Sequence, residues 1–404
     1  MRASRRRFLQ ASIGASMASL AAEAGAAEPA LDRPLFQLEK VADRPIKIAA
    51  IELLQLGQIH LLRAVSTDGA EGLAECNERV KYLFPILQQL VAPFFVGKDA
   101  RDLEALIDEV YLHRSNYKLA GLALWCCVGW VEFALLDMLG KIAKKPVGAL
   151  LGGVLRKEAP VYLSSLRRDT TPEQEVAWLG QRLRETGAKA VKLKIGGRMS
   201  KNADAAPGRT EKLVALARKT WGDGVTIYVD ANGSYDAKTA IEVGKLLEAH
   251  GVGFFEEPCP FEELEETKRV ADACRVPVAG GEQDASLPRF AWMIKNQVVK
   301  VVQPDVNYNG GFIRACRVAR LAAAAKLPIT PHSPQLGMSP AYLLHFASCT
   351  PNIGPFLEYN AAPHPPEEWF SPKLEVKNGL LPVPPGPGLG VTVDPEVVKK
   401  AKRV

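Results

Sequence analysis

Hydrophobic and polar positions in the second half of the chain follow a repeating order. From about residue 160, short apolar runs typical of buried strands are separated by amphipathic stretches of helical length. In order, the runs are APVYLSS, AVKLKIGG, VTIYVDAN, VGFFEEP, VPVAGGE, VVKVVQPD, LPITPHS and GPFLEYN. Eight strands that alternate with helices predict an α/β fold, a parallel β/α barrel of the TIM type.

A different pattern precedes the barrel. Residues 45–70 have the pattern of strands with a turn at Asp68-Gly69, and residues 82–150 have the pattern of helices. Strands followed by helices indicate a compact α+β unit. The predicted domains are an N-terminal α+β domain at 28–157, the barrel at 158–360 and a proline-rich C-terminal segment at 361–404 that returns to the first domain.

The first 27 residues fit neither pattern. They read SRRRFLQ, then a weakly apolar run at 11–22, then small residues at 24–27. A basic patch, a short apolar segment and a small-residue end are typical of a cleaved export signal. The paired arginines followed by Phe8 and Leu9 resemble a twin-arginine signal. We therefore expect the twin-arginine export machinery to carry the protein to the periplasm, and we expect no membrane span in the mature chain.

Composition adds few constraints. The chain is 47% hydrophobic and 24% charged, as is usual for a globular protein. Its net charge is +6, and four arginines against one glutamate in the first 27 residues supply half of it. Because no basic stripe with interleaved aromatic residues occurs, we expect no nucleic-acid partner. Seven cysteines without a CxxC pattern suit neither a zinc site nor a disulfide-stapled domain, so we interpret most of them as core residues.

An ionisable residue stands at the C-terminal end of six consecutive predicted strands. The intervals between these residues are 26, 26, 23, 27 and 26 positions, each close to one strand–helix repeat. In a TIM barrel the C-terminal strand ends meet at one face, where active sites are built. The residues that we expect to share one site are Asp230, Glu256, Glu282, Asp305, His332 and Glu358.

Asp230, Glu256 and Glu282 bring three carboxylates to adjacent predicted strands. Three like charges are costly together unless a cation compensates them. Carboxylate oxygens without cysteine or paired histidine favour Mg²⁺, which keeps positions open for water or substrate. Asn232 lies on the same side of its strand as Asp230 and is a candidate contact for groups bound to the metal. Glu257 directly follows Glu256 and is expected to point the other way.

Lys192 and Lys194 alternate with apolar residues in the second predicted strand, so both occupy one face. That face meets the predicted metal site if the strand lies beside the one that ends in Asp230. A neighbouring ammonium group and a bound cation both disfavour a protonated amine. We therefore expect the pKa of Lys194 to fall from about 10.4 toward about 7–8, where it can act as a general base.

His332 is expected to serve the other side of the metal site. Asp305 lies one strand away, and a carboxylate on one imidazole nitrogen orients the ring and leaves the other nitrogen to exchange protons. A metal between two acid/base groups suits a small carboxylate substrate: a base removes the proton on the adjacent carbon, and the metal stabilises the enediolate. A purely structural Asp–His pair is the alternative interpretation of Asp305 and His332.

The chain resembles the enolase superfamily, in its mandelate racemase subgroup (the mandelate racemase/muconate lactonizing enzyme family), over residues 45–404. The resemblance is carried by VKLKIGG, VDAN, FFEEP, GGE, QPD followed by NGG, PHS and LEYN, with LLGG before the barrel. It implies an N-terminal α+β capping domain, completed by the C-terminal tail, whose loops close over the substrate. It also implies that Asp230, Glu256 and Glu282 bind Mg²⁺.

The same resemblance implies roles for the other candidate residues. Lys194 would be the base on one face of the substrate, and Lys192 would lower its pKa and contact the substrate carboxylate. His332, partnered by Asp305, would work on the opposite face. Glu358 resembles the acid that hydrogen-bonds the enediolate from the eighth strand.

Substrate identity is expected to reside in the capping loops, here around Leu53–Gln58 and Glu75–Tyr82, and at the first barrel strand. There Arg167 and Arg168 could clamp a second carboxylate, although a solvated surface pair is the simpler interpretation. The stretch at 198–210 lengthens one loop at the edge of the site relative to the usual family pattern. That insertion weakens any analogy with known substrates.

One enediolate can give two products. Loss of a β-hydroxyl, assisted by protonated His332, dehydrates a sugar acid (an aldonate or aldarate) to a 2-keto acid, and this is the favoured prediction. Reprotonation on the opposite face racemises or epimerises a hydroxy acid or related carboxylate.

A periplasmic solute-binding protein fits the export signal but needs no acids at strand ends. A metallohydrolase would show HxH or HExxH, and a nucleotide enzyme a glycine-rich motif, and neither pattern occurs. We also expect a homo-oligomer.

Overall fold

The computed structural model of the protein describes residues 36–363 and 369–404. The predicted export signal at 1–27 lies outside these residues. The N-terminal part of the described chain forms an antiparallel sheet, whose strands are β1 (Ile48–Leu56), β2 (Ile59–Ser66), β3 (Glu71–Glu75) and, from the C-terminal tail, β14 (Lys402–Arg403). Their order in the sheet is β14-β1-β2-β3.

The sequence predicted one of the two connections in this sheet correctly and the other incorrectly. Asp68 and Gly69 lie between β2 and β3, where φ of +85° at Gly69 suits glycine. The stretch Leu53–Gln58, expected to be a capping loop, mostly continues β1, and only its last two residues form the turn to β2. Leu56 pairs with Ile59, so the apolar residues of this stretch extend the strand rather than form a loop.

Helices cover one face of the sheet. Their bounds are Val80–Ile86, a π-helical turn at Leu87–Val91, Ala92–Phe95, Leu103–Leu112, Leu122–Ala143 and Val147–Leu150. The helix Leu122–Ala143 approaches β3 so closely that a Cβ atom on Gly72 would lie 2.0 Å from the main-chain oxygen of Ala134. Asp137 on this helix accepts hydrogen bonds from the main-chain N–H groups of Leu73 (2.9 Å) and Leu389 (2.8 Å). Sheet, helix and tail are therefore fixed together.

The helix Leu122–Ala143 is, by length and composition, apolar enough to cross a membrane. However, 89% of its most apolar window is buried inside the protein. An apolar helix that is covered on all sides by its own chain is typical of a protein core.

The second sheet is parallel and carries the candidate site. Its strands are β4 (Glu158–Ser164), β5 (Ala190–Lys194), β6 (Thr226–Asp230), β7 (Phe255–Glu256), β8 (Val278–Gly280), β9 (Val301–Val302) and β10 (Leu357–Asn360). They are arranged in the order β10-β4-β5-β6-β7-β8-β9. The last strand, β10, pairs in parallel with the first, β4, so the sheet curls back on itself as a β/α barrel. The predicted fold class is confirmed.

The seventh predicted strand, LPITPHS, is reduced to isolated bridges. Ile329 bridges to Val302 on one side and to Ile353 on the other, and His332 bridges to Asp305. Prolines recur at 328, 331 and 334, and each lacks the N–H group that a strand must donate to its neighbour. His332 therefore lies on an element with few strand hydrogen bonds.

Seven helices of the described chain alternate with these strands. Their bounds are Pro172–Thr186, Arg209–Trp221, Ala237–Ala249, Leu264–Ala273, Leu287–Lys295, Phe312–Ala324 and Ser339–Cys349. Three of them begin at a polar cap. Thr171, Asp236 and Ser286 each accept a hydrogen bond from a main-chain N–H in the first turn, which satisfies donors that have no partner within the helix.

The C-terminal tail contacts both parts of the protein. Its elements before β14 are β11 (Phe370–Ser371), β12 (Leu380–Pro382), β13 (Thr392–Val393) and the helix Pro395–Lys400. Strand β12 pairs with β4 of the barrel, whereas β14 pairs with β1 of the N-terminal sheet. The exact domain boundaries at 157/158 and 360/361 stay predictions.

Aromatic side chains fill part of the barrel interior beside the candidate site. The rings of Tyr228 and Phe254 stack with centroids 3.8 Å apart, and Tyr162 meets Tyr228 edge-on at 5.3 Å. The ammonium group of Lys192 lies 5.4 Å from the Tyr162 ring. These rings therefore form an apolar surface beside the ammonium group of Lys192.

Candidate active site

Three carboxylates converge at the C-terminal ends of adjacent strands. Asp230 ends β6, Glu256 ends β7, and Glu282 follows β8. Asp230 and Glu256 are paired in register across the sheet, so their side chains leave it side by side. One oxygen from each of the three residues lies within 4.8 Å of the others, and all three residues are buried. Such an arrangement can hold a metal ion.

Each of these carboxylates contacts a different basic side chain. The ammonium group of Lys194 contacts Asp230. The ammonium group of Lys192 lies 2.8 and 2.9 Å from the two oxygens of Glu256. At the other end of the row, Nε2 of His332 lies 3.2 Å from Glu282. Lys194 and His332 therefore flank the row of carboxylates from opposite ends.

The donor set fits a hard divalent cation such as Mg²⁺. All of its ligand atoms are carboxylate oxygens, which Mg²⁺ prefers. Burial, together with Asp230, Glu282 and Glu358 and despite Lys192, raises the pKa of Glu256 to about 8. At Asp230, by contrast, burial is outweighed by Lys194 and Lys192, and the pKa lies below its usual value. This much buried negative charge requires compensation, which a bound cation would provide.

Lys192 is enclosed between two glutamates. It is fully buried, and its ammonium group lies 2.8 Å from Glu358 as well as from Glu256. Burial alone would lower the pKa of Lys192, but Glu256 and Glu358 raise it well above its usual value. Lys192 is therefore a permanent positive charge whose field on its neighbours is partly neutralised by these two carboxylates.

Glu358 lies at the end of the barrel sheet, on β10. One oxygen accepts a hydrogen bond from the main-chain N–H of Ser333 at 2.7 Å, and the other pairs with Lys192. Although burial raises the pKa of Glu358, Lys192 and His332 lower it to about 2. The carboxylate thus links β10 to the segment that carries His332.

Lys194 is nearly buried, with 5% of its surface exposed. Besides Asp230, its ammonium group contacts Oδ1 of Asn232 at 3.2 Å. The Asn232 main-chain N–H in turn donates to Asp230 at 2.7 Å. The predicted grouping of Lys194, Asp230 and Asn232 is present in the structure, and it holds the amine against the metal-binding row.

His332 and Asp305 form a buried pair on neighbouring strand positions. Nδ1 of His332 lies 2.8 Å from the Asp305 carboxylate, which also accepts main-chain hydrogen bonds from Asn307 (2.7 Å) and Tyr308 (2.9 Å). Burial lowers the pKa of His332, but Glu282, Glu358 and Asp305 outweigh it and raise the pKa to about 10. A divalent cation on Glu282 would oppose that increase. The pair fixes the ring so that Nε2 faces the carboxylate row.

The guanidinium group of Arg168 is engaged in hydrogen bonds within the protein and is not free to bind a second substrate carboxylate. Its Nη2 donates to Oδ1 of Asn232 at 2.9 Å and to the main-chain oxygens of Ile195 and Asp230 at 3.4 Å. Its Nε donates to the main-chain oxygen of Gly196 at 3.2 Å. The guanidinium group thus ties together the ends of β5 and β6, the two strands that carry Lys194 and Asp230.

Arg167 is the other arginine that the sequence suggested as a substrate contact. Its side chain contacts different residues from that of Arg168. Its guanidinium group lies over the ring of Trp178 at 4.5 Å, and its Nε lies 3.5 Å from Glu175. Both contacts lie on the helix that follows β4. The two neighbouring arginines therefore have different surroundings, and Arg167 contacts the helix after β4 rather than the strand ends that carry the metal-binding carboxylates.

Glu257 is a candidate site residue that strand alternation missed. Its φ of +41° and that of +42° at Asn232 are left-handed, so the alternation of side chains breaks at both strand ends. The Glu257 carboxyl is buried, and Asn232 Nδ2 donates to it at 3.4 Å. Burial, Glu282 and Asp230 raise the pKa of Glu257 well above its usual value. The expectation that Glu257 points away is wrong; Pro258 after it was the one sign of an irregular end.

The insertion at 198–210 packs on the end of β6. The main-chain N–H of Met199 donates to the Asn232 oxygen at 2.9 Å, and that of Arg198 donates to Ser234 Oγ at 2.9 Å. Within the insertion, Asp204 accepts from the main-chain N–H of Thr210 at 2.7 Å. The insertion therefore supports the strand end that presents Asp230 and Asn232.

The predicted capping loop Glu75–Tyr82 reaches the barrel. Glu75 accepts a hydrogen bond from the main-chain N–H of Met338 at 2.6 Å, just beyond the element that carries His332. The guanidinium carbon of Arg79 lies 4.9 Å from the Tyr308 ring. This loop therefore lies on the His332 side of the site.

Comparisons with known proteins agree with this geometry. A family model described as enolase C-terminal domain-like matches residues 175–397. Arabinonate dehydratase from Saccharolobus solfataricus is 29% identical over 382 residues, which cover 92% of this chain and 95% of that protein. D-galactarolactone cycloisomerase from Agrobacterium fabrum is 28% identical over 368 residues, covering 88% and 94%.

A solved structure is also similar over most of its length. It is a protein from Roseobacter denitrificans that has been provisionally assigned as a racemase. It is 35% identical to this chain, superposes with a TM-score of 0.84, and the match covers 89% of this chain and 99% of that one. The likeness therefore includes the capping part as well as the barrel.

Proposed function

The chain belongs to the enolase superfamily, and from that premise we propose that it is a Mg²⁺-dependent dehydratase of sugar acids. In the proposed reaction the proton next to the substrate carboxylate is removed and the β-hydroxyl leaves as water, which gives a 2-keto acid. A relative named arabinonate dehydratase, similar over nearly the whole chain, supports this substrate class.

One observation carries the proposal. Lys194 and His332 flank the row of buried carboxylates from opposite ends, with Lys194 on Asp230 and His332 on Glu282. A substrate carboxylate bound at the row would have an amine on one side and an imidazole on the other. Two acid/base groups are what removal of a proton and departure of a hydroxyl require.

Asp230, Glu256 and Glu282 would hold the Mg²⁺. When bound, Mg²⁺ supplies positive charge that stabilises the negative charge developing on the substrate carboxylate. Lys194 takes the proton from the carbon beside that carboxylate. His332, its Nδ1 held by Asp305, gives a proton from Nε2 to the departing hydroxyl. Both steps occur in a buried site, where electrostatic effects are stronger than in water.

The other residues hold these groups in place. Lys192 is held between Glu256 and Glu358, and it contributes a fixed positive charge beside the metal-binding row. Arg168 and Asn232 hold the strand ends next to Lys194. The side chains therefore reach the substrate already oriented, which reduces the entropy lost in the reaction.

Racemisation or epimerisation is the second candidate function, and the same geometry favours it. Lys194 and His332 could remove a proton on one face and return it on the other. The similar protein from Roseobacter denitrificans, provisionally a racemase and 35% identical, supports this alternative. The two functions differ in product: a keto acid for dehydration, an inverted centre for racemisation.

A substrate screen tests the proposal. We would incubate the purified chain with Mg²⁺ in D₂O and a panel of aldonates, aldarates and hydroxy acids, and follow products by NMR. We expect a 2-keto acid from at least one sugar acid, and loss of that product in EDTA with recovery when Mg²⁺ is restored. Deuterium at the α carbon without a keto acid would instead select racemisation. No product and no exchange across the panel would contradict both functions.

We also propose that the protein is exported. The support is the sequence SRRRFLQ and the weakly apolar run after it, at residues that the structure does not describe. Replacing the pair with Arg5→Lys and Arg6→Lys should retain the full-length protein in the cytoplasm of a host with a twin-arginine system. Fractionation followed by immunoblotting measures the distribution, and equal export of the variant would contradict the proposal.

A further inference from the structure

Two cysteines from neighbouring helices of the barrel lie against each other. Cys316 is in the second turn of Phe312–Ala324, and Cys349 is the last residue of Ser339–Cys349. Their thiols are in side-chain contact. Cys316 is buried, whereas Cys349 is partly exposed. Cys349 is therefore the more accessible residue of the pair.

Hydrogen bonds from the Asn352 side chain join the two segments beside the pair, independently of the thiols. Asn352 lies three residues after Cys349, and its Nδ2 donates to the main-chain oxygen of Ala319 at 3.3 Å. Ala319 is three residues after Cys316, one turn along the same helix face. Asn352 also donates to the main-chain oxygen of Leu327 at 3.0 Å. The chain after Cys349 thus lies across the helix that carries Cys316.

We propose that Cys316 and Cys349 form a disulfide by exchange with an oxidant that itself carries a disulfide. Export of the chain, as proposed above, would bring the pair into an oxidising compartment, where such bonds form and persist. Nothing in this inference depends on the substrate or on the dehydratase reaction.

The exchange begins at the more accessible thiol. The Cys349 thiolate attacks one sulfur of the oxidant, and the other sulfur leaves as a thiolate. Cys316, after losing its proton, then attacks the Cys349 sulfur and releases the second half of the oxidant. The pair loses two protons and two electrons, and the oxidant becomes two thiols. Contact with the Cys316 thiol lowers the pKa of Cys349, which favours Cys349 as the attacking group.

The two consecutive cysteines of the N-terminal part lack this arrangement. Cys126 and Cys127 are consecutive in one helix, where side chains diverge by about 100°. Cys76 interacts with Cys126 and Cys127 only electrostatically, whereas Cys316 and Cys349 are in direct side-chain contact, so oxidation should favour the pair formed by Cys316 and Cys349.

The proposed bond would bracket the segment that carries His332. Cys316 and Cys349 are 33 positions apart, and the chain between them includes the seventh barrel position. That position is held by isolated bridges at Ile329 and His332 rather than by a continuous strand. A cross-link between its two flanks restricts the unfolded chain and so stabilises the folded protein around this position.

Oxidation of the purified full-length chain tests the inference. We would treat it with oxidised glutathione, alkylate the remaining thiols under denaturing conditions and measure the intact mass without reductant. We expect five alkylated cysteines instead of seven, and a peptide map with one cross-link between Cys316 and Cys349. We also expect the midpoint of thermal unfolding to rise on the order of 5 °C on oxidation.

Variants separate this bond from other oxidation. Cys349→Ser should retain six free thiols, with no cross-link and no rise in the unfolding midpoint, and Cys259→Ser is the matched control that should still form the bond. Seven free thiols in oxidised wild-type protein, a cross-link between other cysteines, or stable attachment of glutathione to Cys349 would each overturn the inference. Because the wild-type peptide map decides alone, poor folding of a variant does not obscure the result.

Discussion

Lys194 and His332 stand at opposite ends of one row of buried carboxylates. Lys194 contacts Asp230, and Nε2 of His332 lies 3.2 Å from Glu282. Between these ends, Glu256 pairs with the fully buried Lys192. The barrel therefore places a metal-binding row between two groups that can transfer protons.

Asp305→Asn should lower kcat by on the order of 100-fold or more and change KM little. The reason is that Asp305 holds Nδ1 of His332 at 2.8 Å, and an amide in its place neither fixes the ring tautomer nor stabilises a protonated ring. Steady-state kinetics on the substrate found in the screen measure the effect. Asp43→Asn, at an exposed position, is the control. Wild-type kcat in Asp305→Asn would contradict a role for the pair.

Arg168→Met should lower kcat by at least about tenfold, whereas Arg167→Met should change it less than about twofold. Arg168 ties the ends of β5 and β6 and contacts Asn232, while Arg167 rests on Trp178. Kinetics of the two variants measured side by side, with circular dichroism to check folding, give the comparison. Partial recovery in Arg168→Lys would support positioning by the positive charge. A larger loss in Arg167→Met would reverse the assignment.

Glu282→Gln should weaken Mg²⁺ binding. In wild-type protein Mg²⁺ in excess over its Kd stabilises the fold by about 2.7 kcal/mol at 100 times the Kd, so the unfolding midpoint should rise. Removing one of three converging carboxylates should largely abolish that rise. Thermal unfolding with Mg²⁺ and with EDTA provides the measurement, and the exposed Glu262→Gln is the control. An undiminished Mg²⁺ effect in Glu282→Gln would exclude Glu282 as a ligand.

His345→Gln should flatten the pH dependence of stability between pH 4 and 6.5. His345 is buried; its Nε2 donates to Leu389, and Nδ1 accepts from the Gly148 main-chain N–H. Burial lowers its pKa to about 4. Between that value and 6.5 the unfolded chain binds more protons than the folded one, so stability rises with pH.

The size of the change in stability follows from the lowering of the His345 pKa from 6.5 to about 4. Going from pH 7 to pH 4 should cost the wild-type protein on the order of 3 kcal/mol more than the variant. Urea unfolding at a series of pH values measures the free energy of unfolding for both proteins. If the difference between them stays constant with pH, His345 is not the group that titrates.

Spacing along the sequence was enough to predict the barrel and the polar strand ends. One ionisable residue per strand–helix repeat identified Asp230, Glu256 and Glu282, because parallel strands present their C-terminal ends at one edge. The same reasoning brought His332 next to Asp305. Their contact in the structure needs only that consecutive units of a barrel be neighbours.

Three features could not be predicted, each for a local reason. Prolines around Ile329 remove the donors of the seventh strand, which periodicity alone did not reveal. Left-handed φ at Glu257 breaks the alternation that assigned its direction. The partners of Arg168 are mostly main-chain oxygens, and no sequence pattern identifies a carbonyl as an acceptor.

The central claim is that Lys194 and His332 exchange protons at a carbon beside a carboxylate. Incorporation of deuterium from D₂O at that carbon, or loss of its proton with product formation, tests it most directly in Lys194→Ala, His332→Asn and the double variant. We expect each single variant to lose turnover while retaining its fold and its Mg²⁺-dependent rise in unfolding temperature, and the double variant to show neither exchange nor product. Exchange at the wild-type rate in the double variant would contradict the account.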